Sequence, residues 1–62
     1  MIKTGDTIKI KKARESYLIC QVGVVDYVVR SINGDVAVVK IRRSGRVSKT
    51  KISVDDLEIL GR

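Results

Sequence analysis

Apolar and polar residues alternate with a period of two along most of this chain, which restricts it to β-structure. The pattern is clearest from Thr7 to Lys11, where Ile8 and Ile10 alternate with lysines. Successive side chains on a strand point to opposite faces, so this pattern gives each strand one buried face and one solvated face. A chain of 62 residues has room for one small core, and we expect a single all-β domain over residues 1–62.

Turn signals divide the alternating pattern into short strands. Asn33-Gly34 is expected to form a two-residue hairpin turn with positive φ at both positions, and Ser44-Gly45 makes the next turn. Gly23 lies inside a valine-rich stretch, where an isolated glycine suggests a bulge or a tight bend, and we expect Tyr17 and Val22 to pack near that bend. The expected strands are 7–11, 22–30, 36–41, 46–52 and 57–60.

The other segments are expected to form loops and one helical turn. Residues 12–16 are charged and lack a period, which indicates a loop, and residues 17–20 either continue it or begin the second strand. Ser53 is expected to cap a single helical turn by accepting the amide of Asp56. Five strands with one helical turn before the last predict a small SH3-like barrel. An OB-type barrel is the less favoured alternative, because it usually needs longer strands and more residues.

The residue types needed for catalysis or metal binding are scarce. The chain has no histidine to activate its single cysteine, Cys20, and no Gly-rich phosphate loop. Asp55 and Asp56 are neighbours on a turn, point apart, and suit the positive end of a helical turn. We therefore expect no enzyme, no catalytic residue, no cofactor and no metal. Cys20 is expected to be inert, and it fits either a reducing compartment or a thiol buried as a small hydrophobic residue. No targeting segment or membrane span is expected.

Segregated positive charge is the strongest functional signal. The net charge is +6, and no acidic residue interrupts the segment from Val36 to Val54. Alternation places Lys40 and Arg42 on one face of their strand, and Lys49 and Lys51 on one face of the next. Such a surface favours an acidic partner, although lysines that protect a sheet edge are the alternative explanation. The candidate docking residues are Lys40, Arg42, Arg43, Arg46, Lys49 and Lys51, with a second cluster of Lys9, Lys11, Lys12 and Arg14.

Scarce aromatic residues bear on which acidic partner binds. Proteins that bind single-stranded nucleic acid stack bases on aromatic rings, and this chain has only Tyr17 and Tyr27. Phosphate contacts alone would still hold a duplex or a structured RNA. An acidic protein needs only complementary charge, which speeds encounter and suits a transient electron carrier.

The chain resembles the small SH3-like subunits of photosynthetic electron transport, above all photosystem I reaction-centre subunit IV, the PsaE family. The resemblance spans nearly the whole chain. It rests on Met1-Ile2-Lys3-Thr4-Gly5, Ile8-Lys9-Ile10, Glu15-Ser16-Tyr17, Val22-Gly23-Val24-Val25, Val38-Val39-Lys40-Ile41 and Ile52-Ser53-Val54-Asp55-Asp56-Leu57.

This resemblance implies a peripheral subunit, on the cytoplasmic or stromal side of the thylakoid, that helps a larger membrane complex dock acidic ferredoxin or flavodoxin. The family's docking arginine aligns with Lys40. Subunit S of the photosynthetic NADH dehydrogenase-like complex is about equally similar in the hairpin and the tail. KOW-type barrels share Gly-Asp-x-Ile-x-Ile and Leu-Glu-Ile, so a KOW- or Tudor-like nucleic-acid-binding barrel stays open as the alternative, as does an interaction barrel with another partner.

Overall fold

The computed structural model describes residues 2–61 and shows an all-β chain. Its five strands form a single antiparallel sheet in the order β4-β3-β2-β1-β5. Short 3-10 turns precede β2 and β5, at Ser16–Leu18 and Val54–Asp56. The strands are β1 (Thr7–Ile10), β2 (Val22–Val29), β3 (Val36–Arg43), β4 (Arg46–Ser53) and β5 (Leu57–Gly61). The all-β prediction is confirmed. Within residues 2–61 no pairing joins β4 to β5, so the sheet keeps two edges.

One face of the sheet forms the hydrophobic core, as the alternation predicts. Ile8 and Ile10 of β1 are fully buried, and Leu18 of the first 3-10 turn packs onto the same face. Each Å² of apolar area that these aliphatic side chains remove from water stabilises the fold by roughly 25 cal/mol. The buried cluster consists of Ile8, Ile10, Leu18, Val25, Ala37, Val39, Ile41, Ile52 and Leu57. We call the opposite side of β1–β4 the outer face.

Gly23 marks a close approach of two strands and not a bulge. It pairs with Ile8 in regular register, and the register shift of β2 falls between Val25 and Tyr27, at Asp26. A Cβ at position 23 would lie 2.5 Å from the Lys40 carbonyl oxygen and 2.7 Å from Cγ1 of Val39. Glycine is therefore required because no side chain fits between β2 and β3.

The two hairpins of the sheet differ in turn geometry. Ser44 (φ 50°) and Gly45 (φ 78°) both have positive φ, which is the two-residue hairpin geometry. Asn33-Gly34 does lie in the hairpin that joins β2 to β3, as predicted, but the expected two-residue geometry is wrong, because only Gly34 has positive φ and the connection spans residues 30–35. Side chains explain the difference: Ser31 Oγ accepts the Asn33 amide at 3.1 Å, and Asp35 accepts the Ser31 amide at 3.4 Å. These local hydrogen bonds compete with a tight turn.

The segment before β2 also departs from expectation. Tyr17 and Val22 lie outside the buried core, since both are about half exposed, and the buried residue of this segment is Leu18. Cys20 is exposed rather than buried, and its φ is 72°. The Cys20 amide donates to the Ile10 carbonyl oxygen at 2.8 Å, so the chain turns sharply here to enter β2.

Ser53 caps the second 3-10 turn one residue earlier than expected. Its Oγ accepts the amide of Asp55 at 3.4 Å and not that of Asp56. A 3-10 turn is wound more tightly than an α-helical turn, which brings the nearer amide to the cap.

Candidate docking surface

Four of the predicted cations share the outer face of β3 and β4. Lys40 lies directly opposite Lys49, and Val24 of β2 is its neighbour on the other side. Arg42 lies opposite Val47, and Lys51 lies opposite Val38. Because residues that pair directly across a sheet project from the same face, this register joins the cations into one surface.

Exposed aliphatic residues are interleaved with these cations. Val24 and Val47 line a groove of about 310 Å³ together with Lys40 and Arg42, and Val47 is 56% exposed. Val22 and Tyr27 extend the apolar area along β2. The alternation alone places Val47 on the same face as Lys49. Only the strand register sets Val47 opposite Arg42 and brings it into one groove with Val24. The docking surface consists of Val22, Val24, Tyr27, Lys40, Arg42, Val47, Lys49 and Lys51.

Asp26 brings a negative charge into the docking surface. Its carboxylate lies 3.0 Å from Nζ of Lys49 and 4.0 Å from Nζ of Lys40. The register shift at Asp26 sets this side chain between the two lysines. Because Asp26 is distant from both lysines along the chain, the sequence alone did not predict the contact. Both lysine side chains are about half exposed, so the pairs are screened and contribute little to stability.

Arg43 and Arg46 lie opposite each other at the end of the β3–β4 hairpin, out of phase with the docking surface. The Arg43 guanidinium carbon lies 5.3 Å from the centre of the Tyr17 ring, a cation–π contact. A hydrogen bond with the Glu15 side chain and the negative charge of Glu15 raise the pKa of Tyr17, and the Arg43 charge opposes that shift. The hairpin end therefore forms a second, smaller cationic site.

The second predicted cluster is dispersed. Lys9 projects from the outer face of β1, between Val22 and Glu58. The backbone amide of Lys11 donates to the Asp56 carbonyl oxygen at 2.8 Å. Lys12 and Arg14 are exposed in the connection that follows β1. Only Lys9 thus lies on the same sheet face as the docking surface.

A larger cleft of about 450 Å³ opens between β5 and the end of β2. Val28, Val54 and Ile59 form apolar walls, and Lys11, Arg30, Asp35 and Glu58 bring both signs of charge. Within residues 2–61 no group of three or more Cys, Asp or Glu side chains has the arrangement of a metal site.

Comparison with known proteins identifies no relative. No protein-family model, no curated protein and no solved structure matches the chain. In the part of the chain that the structure describes, no helix has the length and apolar character needed to cross a bilayer.

Proposed function

We propose that this chain is a non-catalytic docking module that binds an acidic protein through the outer face of its sheet. The observation that carries the proposal is the groove lined by Val24, Lys40, Arg42 and Val47, where exposed aliphatic side chains alternate with cations. Protein interfaces combine an apolar centre with a polar rim, and this surface offers both.

The aliphatic character of the groove favours a protein over a nucleic acid. Valine side chains give a partner protein apolar area to cover, whereas bases need aromatic rings to stack on. Tyr27 is the one aromatic residue of the docking surface. The cations of the docking surface attract an acidic protein at long range, and this attraction raises the rate of encounter more than it tightens the complex.

Ferredoxin or flavodoxin is the acidic partner that we propose, with the chain acting as a peripheral subunit of a photosystem I-like complex on the cytoplasmic or stromal side of the thylakoid. The resemblance to the PsaE family motivates this choice, and the exposed position of Lys40 agrees with it. Lysine has the same charge as arginine but cannot form arginine's planar, bidentate contact with a carboxylate. The contact between Lys40 and ferredoxin is therefore expected to be looser than one made by an arginine.

A parallel titration tests this function. The chain is titrated at about 0.15 M salt with a plant-type ferredoxin, with a short duplex DNA and with a structured RNA. We expect saturable binding of ferredoxin and weak binding of both nucleic acids. Tight binding of nucleic acid without a ferredoxin signal would contradict the proposal.

Nucleic-acid binding is the second candidate, and the hairpin end favours it. Arg43 stacks on the exposed Tyr17, and Arg46 lies beside Arg43, so cations and an aromatic ring occur together there. Phosphate contacts weaken with salt along a log–log slope of about −0.9 per contact on duplex DNA. A log–log salt slope of this kind that becomes shallower by about one unit in Arg46→Ala would support nucleic-acid binding. An affinity that does not change with salt would exclude it.

A further inference from the structure

The outer edge of β4 carries no partner strand. β4 is the last strand of the sheet order, and within residues 2–61 it pairs only with β3. The pairing runs from Val36 opposite Ser53 to Arg43 opposite Arg46 without a register shift, so the edge is regular over eight residues. A long edge of this kind is a template for another strand.

The hairpin geometry determines which peptide groups face outward. The closing pair of a two-residue hairpin, here Arg43 and Arg46, exchanges both of its hydrogen bonds, and hydrogen-bonded pairs then alternate along the ladder. Ser48, Thr50 and Ile52 therefore turn their peptide groups toward β3. The N–H and C=O groups of Val47, Lys49 and Lys51 point away from the sheet.

Charge selects the occupant of this edge. β4 contains Arg46, Lys49 and Lys51 and no acidic residue. A second copy of β4 would set cations against cations, which destabilises a strand pair. A strand with acidic side chains at alternate positions would instead place them on the same sheet face as Lys49 and Lys51 and beside both lysines.

We propose that the free edge of β4 binds an extended acidic segment of the partner protein as a sixth strand. This inference rests on the proposed function and deepens it, because it names the form in which part of an acidic partner binds. Backbone hydrogen bonds to the three outward-facing residues would give affinity, and the lysines would select acidic sequences. The added strand would lie next to the docking surface and extend it.

Amide hydrogen exchange tests the edge directly. The full chain is mixed with a synthetic peptide of alternating glutamate and valine, about eight residues long to match β4. We expect exchange at Val47, Lys49 and Lys51 to slow by about tenfold or more, since each amide would gain a hydrogen bond. A control peptide of the same composition, N-methylated at every second residue, keeps its negative charge but loses the backbone N–H groups that would donate hydrogen bonds to β4. Equal binding of both peptides, or unchanged exchange at these amides, would overturn the proposal.

A pair of variants separates the backbone edge from the side-chain surface. Val47→Pro and Val47→Ala both remove the valine side chain, but only proline removes the outward N–H and adds a ring at the edge. We expect Val47→Pro to bind the glutamate–valine peptide about tenfold more weakly than Val47→Ala. Equal affinities in two folded variants would overturn the edge site. Ferredoxin could also bind without slowing exchange at the amides of Val47, Lys49 and Lys51, and the peptide could leave these amides unchanged as well. In that case the proposed function would stand and the edge-strand inference would be wrong.

Discussion

Lys40 and Lys49 lie directly opposite each other on neighbouring strands, and the carboxylate of Asp26 lies between their ammonium groups. Like charges in this position repel, so Asp26 offsets a repulsion that the docking surface would otherwise contain. The two lysines therefore already share an anionic neighbour before any partner arrives. A partner carboxylate would compete with Asp26 for the same two cations.

Asp26→Asn is expected to strengthen binding of an acidic partner. The change frees Lys40 and Lys49 and removes one negative charge from the docking surface, so we predict an affinity for ferredoxin a few fold higher, mainly through faster association. The free energy of unfolding should fall by less than about 1 kcal/mol, because the ion pairs are half exposed. Stopped-flow association rates and urea denaturation measure the two effects.

Asp55→Asn is the matched control for that variant. Asp55 is exposed in the second 3-10 turn, and the change in net charge is identical. If Asp26→Asn and Asp55→Asn accelerate association with ferredoxin equally, the net charge of the chain alone sets the association rate and the ion pairs of Asp26 have no special role.

Gly23→Ala is expected to destabilise the fold by about 1–3 kcal/mol, the usual effect of forcing extra atoms into a packed site. The new Cβ would meet the Lys40 carbonyl oxygen at 2.5 Å, and a backbone atom on a central strand has little freedom to move away. Gly61→Ala is the control, because a Cβ there meets nothing within 4 Å. Urea denaturation of both variants checks the prediction, and equal stability would show that β2 and β3 separate easily at Gly23.

Ionisation of Tyr17 reports on the contact with the hairpin end. The hydrogen bond with Glu15 stabilises the neutral phenol, so the pKa of Tyr17 lies above its ordinary value of 10.0. We predict that Glu15→Gln lowers this pKa toward the ordinary value. Arg43→Ala should raise it further, because the arginine favours the phenolate. Absorbance of the phenolate, followed from neutral to alkaline pH in chains that also carry Tyr27→Phe, measures both shifts of the Tyr17 pKa. A Tyr17 pKa that neither variant moves would contradict the arrangement of Glu15, Tyr17 and Arg43.

The strands could be predicted from the sequence because burial on one face enforces a period of two. Ile8, Ile10 and Ile52 take the buried positions that this period assigns to them. The connections could not be predicted in the same way, since local hydrogen bonds decide them. Residue preference alone favoured a tight turn at Asn33-Gly34, where the side chains of Ser31 and Asp35 bind the backbone instead.

The docking surface could be predicted only in part. Alternation alone brings Lys40 and Arg42 to one side of β3. Proximity along the chain grouped Arg43 with them, although the same alternation turns Arg43 to the opposite face, toward Tyr17. The place of Asp26 depends on a register shift inside β2, and no local pattern marks that shift.

The most direct test of the docking surface compares two double variants with the same change in net charge. Lys40→Glu/Arg42→Glu reverses charge in the groove, whereas Lys12→Glu/Arg14→Glu reverses it in the connection after β1. Affinity for a plant-type ferredoxin is measured by calorimetric titration at about 0.15 M salt. We predict that the first variant loses at least about tenfold in affinity and the second less than about threefold. Equal losses in the two variants, or unchanged affinity in the first, would contradict docking through the outer face of the sheet.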